Sequence, residues 1–88
     1  MGFQIYFHPK AHHSLGKLDS ALQKQIKEKI RELITNPELG KRLKYSEFWR
    51  LRVQDYRIIY EIQEAEDRII ILFIGHRKNV YDKFSKLF

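Results

Sequence analysis

Arg50, Arg52 and Arg57 fall within one short hairpin-like stretch, and a second cluster, Gly75-His76-Arg77-Lys78, is followed by Tyr81. Guanidinium groups grip phosphate through paired N–H donors and stay protonated at all relevant pH. Tyrosine and histidine transfer protons. Together these types suit phosphodiester chemistry on RNA, where the ribose 2′-hydroxyl is an internal nucleophile. The protein need only take a proton from that hydroxyl, stabilise the added negative charge on a pentacoordinate phosphorus, and protonate the leaving oxygen. Arg57, Arg77, Tyr81 and His76 are the candidate catalytic residues. Arg50, Arg52, Lys44 and Lys78 are the candidate phosphate-binding residues.

Other chemistries find little support. The chain has no Cys, so it offers neither a thiolate nucleophile nor a disulfide framework, which fits a reducing cytoplasm. No Gly-rich phosphate loop, carboxylate pair or Ser/His/Asp order is visible. His8, His12 and His13 lack an accompanying carboxylate or Cys, Pro9 intervenes, and adjacent His12 and His13 point apart on a helix. No metal and no cofactor are expected.

The 88 residues carry 17 Lys+Arg against 11 Asp+Glu, a formal charge of +6. Residues 41–60 hold six basic and two acidic groups, and residues 69–88 four basic and one acidic. The segment 61–68 between them holds four acidic groups and Arg68. This uneven distribution favours a polyanionic partner over an evenly solvated surface. No apolar run approaches the roughly 20 residues that span a bilayer, and the opening residues lack the basic and apolar regions of a signal peptide. The expectation is a single cytoplasmic domain over residues 1–88 that binds no membrane.

The elements that must position these residues follow from periodicity. Phe3, Ile5 and Phe7 alternate with polar neighbours as in a strand. Pro9 opens a short helix over 9–17. Asp19 caps a second helix, whose stripe runs Leu18, Leu22, Ile26, Ile30, Leu33 and Ile34 until Asn36-Pro37 stops it. Residues 37–46 read as a polar loop. Period two returns in Phe48–Val53 and Tyr56–Ile62, with a turn at Gln54-Asp55. Trp49, Leu51, Val53, Ile58, Tyr60 and Ile62 share one face, leaving Arg50, Arg52 and Arg57 together on the other. After the turn Glu64–Asp67, the run Arg68–Ile74 is nearly all apolar, as in a strand buried on both faces. Asn79 is placed to cap a final helix with an apolar stripe of Val80, Phe84, Leu87 and Phe88.

The fold class is therefore α+β. An N-terminal strand and a two-helix hairpin precede a three-stranded antiparallel meander and a short C-terminal helix. Helices lie on one face of the sheet, and the first strand joins an edge or pairs with the last strand. Three cations across one hairpin repel one another, so their juxtaposition marks a surface that awaits an anion. His76 and Arg77, at the rim, are expected to join it.

The stretches Trp49–Val53, Asp55–Ile62 and Gly75–Tyr81, in this order and spacing, resemble the RelE/ParE toxin superfamily, and the RelE branch more than the ParE branch. The resemblance covers essentially the whole chain and implies a RelE-like, microbial-ribonuclease-type fold. It implies a metal-independent endoribonuclease that cleaves mRNA in the ribosomal A site by 2′-hydroxyl attack, so inhibiting translation. It also implies a cognate antitoxin, with toxin and antitoxin forming a hetero-oligomer. By position, Arg50, Arg52, Arg57 and Arg77 match basic residues assigned to charge stabilisation, and Tyr81 matches a tyrosine assigned to positioning or proton transfer. Some RelE-type toxins carry lysine where this chain has Arg50 and Arg52. Arginine cannot serve as a base, which leaves Tyr81 and His76 as proton-transfer candidates. Two other readings stay open: a ParE-type toxin that inhibits DNA gyrase by protein binding, and a non-catalytic RNA- or ribosome-binding module.

Overall fold

The computed structural model describes residues 2–88. Strand β1 (Gln4–Phe7) leads through Pro9 into helix α1 (Pro9–Gly16), and α2 (Ser20–Arg31) follows. The α1 entry is capped by His8, whose Nδ1 accepts from the Lys10 N–H at 3.1 Å. Asp19 caps α2, its carboxylate accepting from the Leu22 N–H at 2.9 Å. Both caps satisfy N–H groups that a helix start otherwise leaves unpaired. Strands β2 (Lys41–Arg42), β3 (Phe48–Val53), β4 (Tyr56–Gln63) and β5 (Arg68–His76) come next, and α3 (Val80–Leu87) closes the chain. Asn79 occupies the N-cap position of α3, as its place in the sequence suggests, but its side chain makes no capping bond.

The sheet has five strands in the order β1-β5-β4-β3-β2. The expected meander is β3-β4-β5, antiparallel throughout, and β1 meets both expected placements, at a sheet edge and paired, in parallel, with the last strand β5. The two-residue β2 adds an edge strand inside the stretch read as a loop, pairing Lys41 with Arg50 and Arg42 with Trp49. A two-residue strand carries no readable alternation, and the flanking Pro37 and Gly40 mask it.

Helices α1 and α2 cover one sheet face. Ala11, Leu15, Ile26, Ile30 and Leu33 pack there on Leu51, Ile58, Tyr60, Ile69, Ile71 and Ile74. Contrary to the expectation of helices on a single face, α3 lies on the other, where Val80 and Phe84 pack on Ile59, Leu72 and Phe73. Two covered faces explain why the β5 sequence is a continuous apolar run. Each helix is amphipathic, so each contributes mainly by removing one apolar stripe from water.

One irregularity in β5 has a large effect. Ile59 pairs with Phe73 and Tyr60 with Ile71, so Leu72 is an extra residue without a partner. This β-bulge reverses the inward–outward alternation beyond it. Ile69 and Ile71 face α1 and α2; Leu72 and Phe73 both face α3; Ile74 turns back to α1 and α2.

Candidate functional site

Register sets the cationic face. Arg52 lies directly opposite Arg57 across the β3–β4 hairpin, and Lys41 lies opposite Arg50 across β2–β3. Cross-strand partners share a face, so Lys41, Arg50, Arg52 and Arg57 all project to the side that α3 only partly covers. The sequence pattern placed the three arginines correctly on that side. It misses Lys41, because the two-residue strand that carries Lys41 is too short to show alternation.

The three arginines are held differently. Arg57 is 8% exposed, and its Nη1 donates to the carbonyl oxygens of Gln54 and Tyr56, each at 3.0 Å. It is thereby locked to the hairpin turn, where Gln54 adopts a left-handed φ of 52°. Its remaining N–H donors are left for an outside acceptor, since no buried side-chain nitrogen among the described residues lacks a partner. Arg57 does not pair with Glu61, which instead accepts from the Gln63 side chain. Arg52 is exposed, with no carboxylate partner in any ion pair among the described residues. Arg50 is half-buried, and its Nη1 donates to Tyr81 Oη at 3.4 Å.

Tyr81 is therefore a surface group of α3, not part of its buried stripe, and it is 38% exposed. Because its oxygen accepts from Arg50, its own O–H is left to donate outward. Val80 and Phe84 anchor the helix that presents it. The other two members of the apolar stripe, Leu87 and Phe88, stay 45% and 46% exposed.

The remaining candidates are dispersed. Arg77 sits at the turn end of the hairpin, where its Nε meets Asp55 Oδ1 at 3.3 Å and its backbone N–H donates to Asp55 O at 2.7 Å. Both side chains are more than half exposed, so the pair contributes little stability. Lys78 follows it, exposed. Lys44 lies in the β2–β3 loop with its Nζ 5.3 Å from the Tyr45 ring. His76 is not on the arginine face. It pairs with Tyr56, its ring meets the Tyr56 ring edge-on at 5.5 Å, and it faces the side of α1. The bulge at Leu72 causes this, since strict alternation from Ile70 would have put His76 beside the arginines.

The β2 edge is fixed from within. Tyr60, wholly buried, donates its hydroxyl to Pro37 O at 2.8 Å and accepts from the Gly40 N–H at 3.1 Å. Burial raises the Tyr60 hydroxyl above its usual pKa. The nearby Glu38 charge raises it further, and the Gly40 N–H works against both. Any Cβ at Gly40 would clash with the Arg50 carbonyl oxygen, so only glycine lets the chain pass there on its way to Lys41. Among the described residues no three His, Asp or Glu side chains come together as a metal-ligand set.

A family model described as the ParE toxin of type II toxin–antitoxin systems matches residues 5–81. The chain belongs to the RelE/ParE family of type II toxins. A RelE-like toxin protein of Escherichia coli is 26% identical over 92 residues, covering 98% of this chain and 97% of that protein. The RelE of a RelB–RelE antitoxin–toxin complex from Methanococcus jannaschii is 30% identical, with a TM-score of 0.72, over 90% of this toxin and 98% of that chain. An arginine double mutant of Escherichia coli RelE in the free state shares the fold, with a TM-score of 0.82 and 22% identity over 99% and 98% of the two chains. In this toxin, no helix is long and apolar enough to cross a membrane.

Proposed function

We propose that this toxin is a metal-independent, ribosome-dependent endoribonuclease that cuts mRNA by attack of a ribose 2′-hydroxyl on the adjacent phosphate. The observation that carries the reading is the Arg50–Tyr81 contact within a face that also bears Arg52, Arg57 and Lys41. Arg52 and Arg57 bind the scissile phosphate and stabilise the charge that grows on its oxygens. Arg50 shares that work and orients Tyr81. As the O2′–P bond forms and the P–O5′ bond breaks, the proton of the 2′-hydroxyl passes to water, and Tyr81 donates its own proton to the leaving 5′-oxygen. Arg77 and Lys78 hold the flanking strand, and Lys44 an outlying phosphate. His76, on the far side of the sheet, takes no part in proton transfer. The face is open and shallow, so the ribosome completes the pocket and positions the codon. A cognate antitoxin, as in the RelB–RelE complexes of its structural relatives, inhibits the toxin by covering this face or displacing α3 in a hetero-oligomer. Mapping mRNA ends in cells after induction tests the reading: cleavage within translated codons is expected, and its loss in Arg50→Ala and Tyr81→Phe.

The match to a ParE toxin model favours a second reading, inhibition of DNA gyrase by protein binding. Purified toxin would then block supercoiling while mRNA in expressing cells stays intact.

A further inference from the structure

A cleft of about 570 Å³ lies at the edge of β5 beyond its pairing with β1, between α1 on one face of the sheet and α3 on the other. Its rim carries Lys10 and His13 from α1, Lys17 just past the end of that helix, Lys83 from α3, and His76. No Asp or Glu lines it, and none of these lysines enters an ion pair among the described residues. Leu18 and Phe73 contribute apolar surface to its wall. His76 is held in one orientation, its Nδ1 accepting from the Lys78 N–H at 3.2 Å and its ring set against Tyr56. With Nδ1 occupied as an acceptor, neutral His76 carries its proton on Nε2 and donates from there.

We propose that this cleft binds a nucleotide of the same RNA strand that crosses the arginine face. Its phosphate meets the lysines and His76, and its base or ribose lies on the apolar wall. The inference rests on the reading of the toxin as RNA-directed, but not on cleavage. A cationic rim without acids suits phosphate, and an apolar wall suits a base better than it suits a bare ion. The two sites share a border. Tyr56 and His76 line the cleft, while their chain neighbours Arg57 and Arg77 belong to the other side or its rim. Exposed Arg77 and Lys78 bridge the two along the sheet end, giving a strand a continuous cationic path.

The test is fluorescence anisotropy of the full chain with a short single-stranded RNA, 2′-O-methylated so that it cannot be cut, over a range of salt concentrations. Lys10→Ala/Lys83→Ala is expected to reduce the slope of log K against log salt by about 1.4, roughly 0.7 for each phosphate that is no longer neutralised. Lys24→Ala/Lys27→Ala removes the same charge from α2 and is expected to leave the slope unchanged. An unchanged slope in the cleft variant, an equal fall in the α2 variant, or no salt-dependent binding by the parent overturns the proposal. So does displacement of the RNA by poly-glutamate of equal charge with the same potency, which would make the cleft an acidic-peptide site. The cleavage reading fails separately: if Arg50→Ala cuts mRNA like the parent while the cleft variant still shows the reduced slope, the cleft stands and the catalytic assignment falls.

Discussion

The two faces of one sheet are built to opposite rules. Under α1 and α2 the side chains are apolar and dry, and the one hydroxyl buried there, that of Tyr60, is satisfied twice. Under α3 only the middle is sealed, by Val80 and Phe84, and like charges face each other around it. Arg52 opposite Arg57 costs stability, as does Lys41 opposite Arg50, although Arg57 also ties down the hairpin turn. The first face holds the molecule together; the second keeps a like-charge repulsion that a bound anion would relieve. We read this concentration of positive charge, kept at a cost to the fold, as a surface for binding an anion.

Substitutions can break this contrast. The largest effect on stability belongs to the sealed face: Ile26→Ala, at a wholly buried position, is expected to cost about 2–5 kcal/mol in denaturant unfolding. The largest effect on activity belongs to the open face. Tyr81→Phe is expected to slow mRNA cleavage by about 10²–10⁴-fold, the usual contribution of a proton-transfer group, with the melting temperature nearly unchanged.

Tyr60→Phe comes next. It leaves the Pro37 carbonyl and Gly40 N–H without their partner and is expected to cost about 1–3 kcal/mol. It also carries a pH signature. The folded-state pKa of Tyr60 is raised, so its contribution is fully present below its ordinary value near 10.0 and is lost as pH climbs through the higher folded value. The parent should lose stability at alkaline pH through this group, and the Phe variant should lack that part of the loss.

The smallest effect sharpens the contrast most. Arg52→Glu replaces a like-charge pair with an opposite-charge pair across from Arg57 and is expected to raise stability by about 0.2–1 kcal/mol while removing RNA binding. A destabilised Arg52→Glu variant would show that the pair is not repulsive in the fold.

Much of this was legible in the residues. Alternation in Phe48–Val53 and Tyr56–Ile62 separates core from arginines, and Asp19 and Pro9 mark two helix starts where the structure has them. Four features were hidden, each for a physical reason. Strand β2 is too short to show a period. The side taken by α3 depends on the path of the chain after Gly75, which no local pattern encodes. The place of His76 depends on the bulge at Leu72, and inside an unbroken apolar run an extra residue leaves no mark in the sequence. Asp55 as the partner of Arg77 was likewise invisible, since that pairing joins a turn to the end of a strand far along the chain.

The most direct test of the catalytic face is the map of mRNA ends after induction of the parent and of Tyr81→Phe at matched protein levels. New ends inside translated codons are expected with the parent, and their near-complete loss with Tyr81→Phe. Growth arrest by the parent with intact mRNA, or equal cleavage by the two proteins, would contradict the assignment of Tyr81 and its arginines to RNA cleavage.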